Sequence, residues 1–392
     1  MKTISIPALF ILLFVFFNCE NEAKQIITVK NTLDIPRSFE TVEISVTDVL
    51  LSEGMSIEDI GVIDIKTNKV LVSQVVDSNQ DGNADMLLFQ PKIEANSEAQ
   101  YKLSKVNADE KPELIEYCYS RFVPERTDDY AWENNKVAFR TFGPVAQKMV
   151  EDNVKGGTLS SGIDAWLKRV ETPIINKWYK RNDEKKGAYH QDIGDGLDNF
   201  HVGVSRGVGG IAVQIDTTYY VSRNFTKWKT ITTGPLRTSF MLEYADWDAD
   251  GNAISETKYI SLDYGSNLSR FEVEILGTDR VQVGLTLHEK DGVDTQNKDA
   301  GYISYWEPHD DSELGTAIVV PNNNMISSKL FDTSAKDWSN LYANIKVNEG
   351  KVIYYAGFGW KKANEFISKE SWNNYLETFT KKVNNPLEVI FN

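Results

Sequence analysis

Arg237–Trp247 reads RTSFMLEYADW, and behind it come TKYISLDYG at 257–265, RFEVEIL at 270–276 and VQVGLTL at 281–287. Phe240, Leu242 and Tyr244 alternate with Ser239, Met241 and Glu243. Successive strand residues point to opposite faces, so this spacing predicts a strand with one buried face. The same texture extends outward through KVAFRTFG at 136–143, GIAVQI at 210–215, KTITTG at 229–234, ISYWEP at 303–308, TAIVVP at 316–321 and VIYYAGFGW at 352–360. Many short strands at even spacing predict a mainly β chain, a large antiparallel β-sandwich with few helices. Helical texture is confined to Pro144–Asn153, Ile163–Tyr179 and Ala363–Lys382; the last carries Phe366, Trp372, Tyr375, Leu376 and Phe379 on one stripe.

Upstream, QIITVKNT, TVEISVTDVL, KVLVSQVV, DMLLFQ and QYKLSKV predict a small N-terminal β module over 25–108. The boundary falls at Asp109–Pro112, leaving 109–392 as the main domain. The 392 residues are 41 % hydrophobic, enough for a large core, and the formal charge of −15 excludes general binding of nucleic acid.

Residues 1–18 read as a signal segment: Lys2 supplies the basic start, and Ile4–Phe17 is too short for a comfortable membrane span. Cys19 closes the apolar run and resembles a lipobox cysteine, with 19–24 as a polar tether. This predicts a lipid anchor and a cell-envelope, outer-membrane location; a secretory signal with an incidental cysteine is the alternative. Cys118 is then alone in the mature chain and reads as a small buried hydrophobe.

Function concentrates between Trp132 and Arg237, where aromatic, charged and glycine residues interleave. Such groups must be satisfied by one another or by a ligand. Aromatic faces, carboxylates and guanidiniums together are what a sugar-acid cleft requires. His190, crowded by Tyr189, Asp192, Asp195 and Asp198, is the candidate acid or base, with His190 and Asp192 also open to a divalent-metal reading. GVSRGVGG at 203–210 lacks the following helix and Lys-Ser/Thr of a phosphate loop, so it reads as a tight loop beside the cleft. Asp77, Asn79, Asp81 and Asp85 fit the start of a calcium loop, although Leu88 stands where the bidentate Glu belongs; an Asx-rich hairpin turn is the alternative. Asp246–Gly251 reads as a plain turn. Gly203–Gly207 spells G-x-S-x-G, but no helix follows it as a nucleophile elbow requires.

WENNKVAFRTFGP at 132–144, SGIDAWLKR at 161–169, YHQDIGDGLD at 189–198, VGVSRGVGG at 202–210 and GPLRTSFMLEY at 234–244 together resemble a family of secreted Bacteroidota proteins encoded among polysaccharide-degradation enzymes. The resemblance implies a sandwich similar to mutarotase and lyase folds. It also implies dehydration of ulvan oligosaccharides at a terminal uronic acid, leaving a 4,5-unsaturated sugar.

That reaction needs a base for the C5 proton, an acid for the 4-hydroxyl and a cation on the carboxylate. Arg140 and Arg237 are the candidate cations, His190 the base or acid, Tyr189 or His288 its counterpart, and Asp192 the orienting carboxylate. Trp166, Lys168, Trp306 and Asn134 are the candidate substrate contacts. No cofactor is expected beyond structural calcium. A β-eliminating lyase and a non-catalytic glycan-binding lipoprotein are the alternatives.

Overall fold

The computed structural model describes residues 25–392; the signal segment, the tether and Cys19 lie outside them. The chain is mainly β, and its strand ladders are antiparallel. A nine-stranded sheet holds Phe225–Thr232, Arg237–Tyr244, Asn252–Asp263, Leu268–Leu276, Lys351–Trp360, Ser312–Val319, Tyr302–His309 and Val293–Asn297 in that order, with Trp247–Ala249 paired to Asn252–Asp263. A five-stranded sheet of Thr218–Tyr220, Val208–Ile215, Arg280–Thr286, Asn340–Lys346 and Met325–Phe331 faces it. Phe240, Leu242, Ile260 and Phe271 from one sheet share a core with Ile211, Val283, Leu285 and Ile345 from the other. The predicted sandwich is therefore present, and Arg237–Tyr244 alternates buried and half-buried along its length.

Three α-helices lie among the described residues: Pro144–Glu151, Ile175–Glu184 and Lys369–Asn384. The first matches the predicted one, and the third begins at Lys369 instead of Ala363, leaving Phe366 of the predicted stripe ahead of the helix. The second does not match, because its expected first half, Asp164–Lys168, is a strand buried on both faces. A strand covered on both sides loses its polar alternation and can be mistaken for a helix core. Pro173 then separates the strand from the true helix, consistent with its inability to donate within a ladder.

The N-terminal module has its own core around Ile27, Val29, Leu87 and Phe89. Glu388–Phe391 returns to pair with Gln25–Asn31 in its sheet, so the main domain does not keep the chain's last strand. Gln74 fixes the module to the main domain: its Oε1 accepts from the amides of Leu236 and Arg237 at 3.0 and 2.9 Å. Among the described residues no helix is long and apolar enough to cross a membrane.

Candidate functional site

A second five-stranded sheet runs Gly196–Leu197, Asp164–Lys168, Ala138–Phe142, Asp129–Glu133, Tyr119–Val123. One face enters the main core through Tyr130, Trp132, Phe139 and Leu167; helix Ile175–Glu184 covers the other, packing its Trp178 and Tyr179 on Trp166. Arg140 and Asp164 are register partners across two neighbouring strands. The Arg140 guanidinium meets Asp164 at 2.6 Å, Asp198 at 2.9 Å and Asp129 at 3.5 Å, and lies 5.2 Å from the Trp166 ring centroid. Burial pushes the Asp164 carboxyl well above the usual carboxylate range against the pull of Arg140. Burial likewise pushes Asp129 up to about 6.

Beside this buried cluster opens a cleft of about 660 Å³, lined in part by Arg126, His190, His201, Val204 and Asp337. His190 ends the 3-10 turn Ala188–His190, its side chain 52 % exposed, and its Nδ1 is held by the Asp198 carbonyl oxygen. That leaves Nε2 as the ring nitrogen available to the cleft. Arg126 donates from Nε to the Tyr189 hydroxyl at 2.9 Å; the charge of Asp129 acts on it from a distance, and no carboxylate among the described residues forms an ion pair with it. The His201 side chain is 62 % exposed, and its Nε2 lies 3.1 Å from Asp337. Gly203 packs so tightly on Asp337 that a Cβ would stand 2.3 Å from its Oδ2, and its φ of +53° is left-handed. Residues 203–207 thus form the tight loop beside the cleft that the sequence predicts, and strand Val208–Ile215 takes up the rest of the glycine-rich segment.

Several sequence candidates occupy other places. Arg237 forks onto Asp263 at 2.6 and 2.8 Å and reaches Glu43 at 2.5 Å, tying the N-terminal module to the main sheet instead of lining the cleft. Asp192 accepts from the amides of Gly194 and Gly196 and pairs with Arg169 at 3.0 Å; Asp198 orients His190 in its stead. The Tyr189 ring is buried, and its hydroxyl is shared by Arg126 and, at 3.5 Å, Arg140. Trp166 is fully buried under Arg140, and Trp306 packs with Trp372, so neither presents a face to a sugar. Lys168 is buried against Glu133 at 2.8 Å. Asn134 caps the hairpin between its strands, accepting from the amides of Lys136 and Val137. In the Asp77–Asp85 turn, Asp77, Asn79, Asp81 and Asp85 accept from backbone amides of the turn itself, so calcium there rests on the sequence spacing alone. Cys118 is buried, and burial raises its thiol pKa, as expected of a small hydrophobe.

His288 stands behind the cleft wall. Its Nε2 lies 3.1 Å from the carbonyl oxygen of His201, and its Nδ1 is 2.5 Å from Glu307. Burial is the largest single influence and lowers the His288 pKa, but the hydrogen bond and charge of Glu307 together with the His201 carbonyl and Glu289 outweigh it, and the net shift is upward. His309 is nearby, its pKa pushed down to about 4 by burial and by His288. Sequence reasoning missed Arg126, His201 and Asp337 as cleft residues because they stand far apart in the chain. Only the rarity of histidine, four in 392 residues, could have raised His201 as a candidate.

The chain belongs to a family described as a domain of unknown function (DUF4861), which matches residues 29–389. It is 59 % identical over 377 residues to the uncharacterized protein P7 of Formosa agariphila, covering 95 % of each chain. Among solved structures it is similar to a protein in glycosyl hydrolase family 38 from Enterococcus faecalis, at 11 % identity and a TM-score of 0.49, covering 94 % of this chain and 47 % of that one. An α-mannosidase from the same species follows at 11 % and 0.46, covering 94 % and 46 %. The chain spans about half the length of these two structures.

Proposed function

We propose, for a chain of the DUF4861 family, that the cleft beside His190 removes water from the terminal uronic acid of ulvan-type oligosaccharides. The observation that carries this reading is a cleft holding two exposed imidazoles and a guanidinium with no carboxylate partner of its own. Arg126 takes the uronate carboxylate in a bidentate fork and offsets the second negative charge that grows on it when the C5 proton leaves. One imidazole of the His190 and His201 pair accepts that proton. The other donates to the 4-hydroxyl, water departs and the C4–C5 double bond forms. Arg140, saturated by three aspartates, is a positioning residue: with Arg126 it holds the Tyr189 hydroxyl, next to His190. The same reading carries a lipid anchor at Cys19 that keeps the enzyme at the cell envelope.

The test is incubation with ulvan-type oligosaccharides, following mass and ultraviolet absorbance. Loss of one water at unchanged chain length, with a rise in absorbance, is the expected result. Shortened chains would make the protein a lyase, and binding without reaction a glycan-binding protein. His190→Ala should lose turnover by roughly a hundredfold while keeping its affinity, in line with general acid–base contributions.

A further inference from the structure

Glu307 and His309 sit two residues apart near the end of strand Tyr302–His309, and His288 follows strand Arg280–Thr286. Alternate strand residues share a face, so the carboxylate and the imidazole of Tyr302–His309 both turn toward His288. The candidate ligand atoms of the three residues all lie within 4.8 Å of one another. Glu307 and His309 are at least nine-tenths buried, with exposures of 1 % and 9 %. Glu307 Oε2 and His309 Nε2 have no hydrogen-bond partner among the described residues, an arrangement that native interiors avoid.

The His288 ring is held on both sides, with Nε2 donating to the His201 carbonyl oxygen at 3.1 Å and Nδ1 lying 2.5 Å from Glu307 Oε1. A backbone carbonyl that fixes the far side of an imidazole, as that of His201 does for His288, is the usual outer shell of a metal-bound histidine.

We propose that His288, Glu307 and His309 bind one divalent transition-metal ion of the zinc class, and that this ion braces the cleft wall. Two imidazole nitrogens and one carboxylate suit zinc, which binds such donors at about 2.0–2.2 Å. They suit calcium poorly, since calcium takes oxygen ligands. The three residues do not line the cleft. The Phe200 ring packs edge-on against His288 at 4.5 Å and lies 6.3 Å from His309, while its neighbours Asn199 and His201 reach the cleft. The ion therefore acts through the Asn199–His201 segment. The site stands independently of the dehydratase reading.

The experiment uses the full chain, stripped with chelator and dialysed, then titrated with zinc chloride by calorimetry and by thermal melting. The expected result is one zinc ion per chain and a rise in melting temperature. His309→Gln and Glu307→Gln, each checked for folding by circular dichroism, should weaken binding by about tenfold or more. His190→Ala and His201→Ala, which remove the exposed imidazoles, should bind as the wild type does. Cobalt(II) absorption supplies a second readout, since visible ligand-field bands of a low-coordinate ion should appear in the wild type and disappear in His309→Gln. Absence of stoichiometric zinc binding, or binding indifferent to both Gln variants, would overturn the proposal.

Discussion

Removing Arg140 tests the electrostatic logic of the site directly. Its guanidinium is the shared partner of Asp129, Asp164 and Asp198, all nearly fully buried. Arg140→Met keeps the length of the side chain and deletes the charge. Breaking a buried ion pair from one side typically costs about 3–5 kcal/mol, because the remaining charge is left unpaired. Burial raises both Asp129 and Asp164, so protonation can relieve part of the unpaired charge and the loss should sit at the lower end, about 3 kcal/mol at neutral pH.

The loss should also depend on pH. Asp129 has a folded pKa raised from 3.8 to about 6, so its protonated form favours the fold; that contribution is full below 3.8 and is lost as pH rises through 6. Arg140 limits the loss, and without it the penalty at neutral pH grows. Urea unfolding of wild type and Arg140→Met from about pH 7.5 to about pH 5 should show the gap shrink with acid. A gap that is absent at neutral pH, or constant across the range, would refute the argument.

The other expectations concern separate parts of the molecule. Arg126→Lys should stay folded but lose both affinity and turnover on uronate oligosaccharides, because a point charge cannot reproduce the fork; unchanged kinetics would remove Arg126 from the carboxylate site. Arg237→Met should lower stability and leave turnover close to wild type, since its partners are Asp263 and Glu43; a selective loss of activity would return it to the cleft. Cys19→Ser should release the protein from membranes into the soluble fraction, and equal retention would end the anchor reading. Burial is the largest single influence on Asp85 and raises its pKa, but the hydrogen bonds from Ser78 and Asn79 together outweigh it and hold the pKa below the usual value, so its contribution is present above 3.8 and fades as pH falls below it. Asp85→Ala should accordingly lower the melting temperature near neutrality but not in strong acid. If calcium raises the wild-type melting temperature and Asp81→Ala abolishes that rise, the turn holds an ion.

Period-two alternation made the sandwich legible, because strands such as Arg237–Tyr244 have one face in the core and one toward solvent. The lone Cys118 and the glycine-rich turn after Val202 were legible for similarly local reasons: both depend on residues adjacent in the chain. Strand Asp164–Lys168 was not, since burial on both faces erased its alternation. The site divided along the same line. His190 stood out from its neighbours, but a guanidinium's role depends on which carboxylates reach it. The sequence leaves Arg237 and Arg140 open to a substrate carboxylate or to a core Asp or Glu, and the structure saturates them with Asp263, Glu43, Asp129, Asp164 and Asp198. Arg126, in an unremarked turn, is the one of the three without such a partner among the described residues. The sequence by itself determined the strand pattern and the residue types available for chemistry. Only the tertiary structure decided which charges cancel, because Coulomb pairing and burial depend on distance in space and not on distance along the chain.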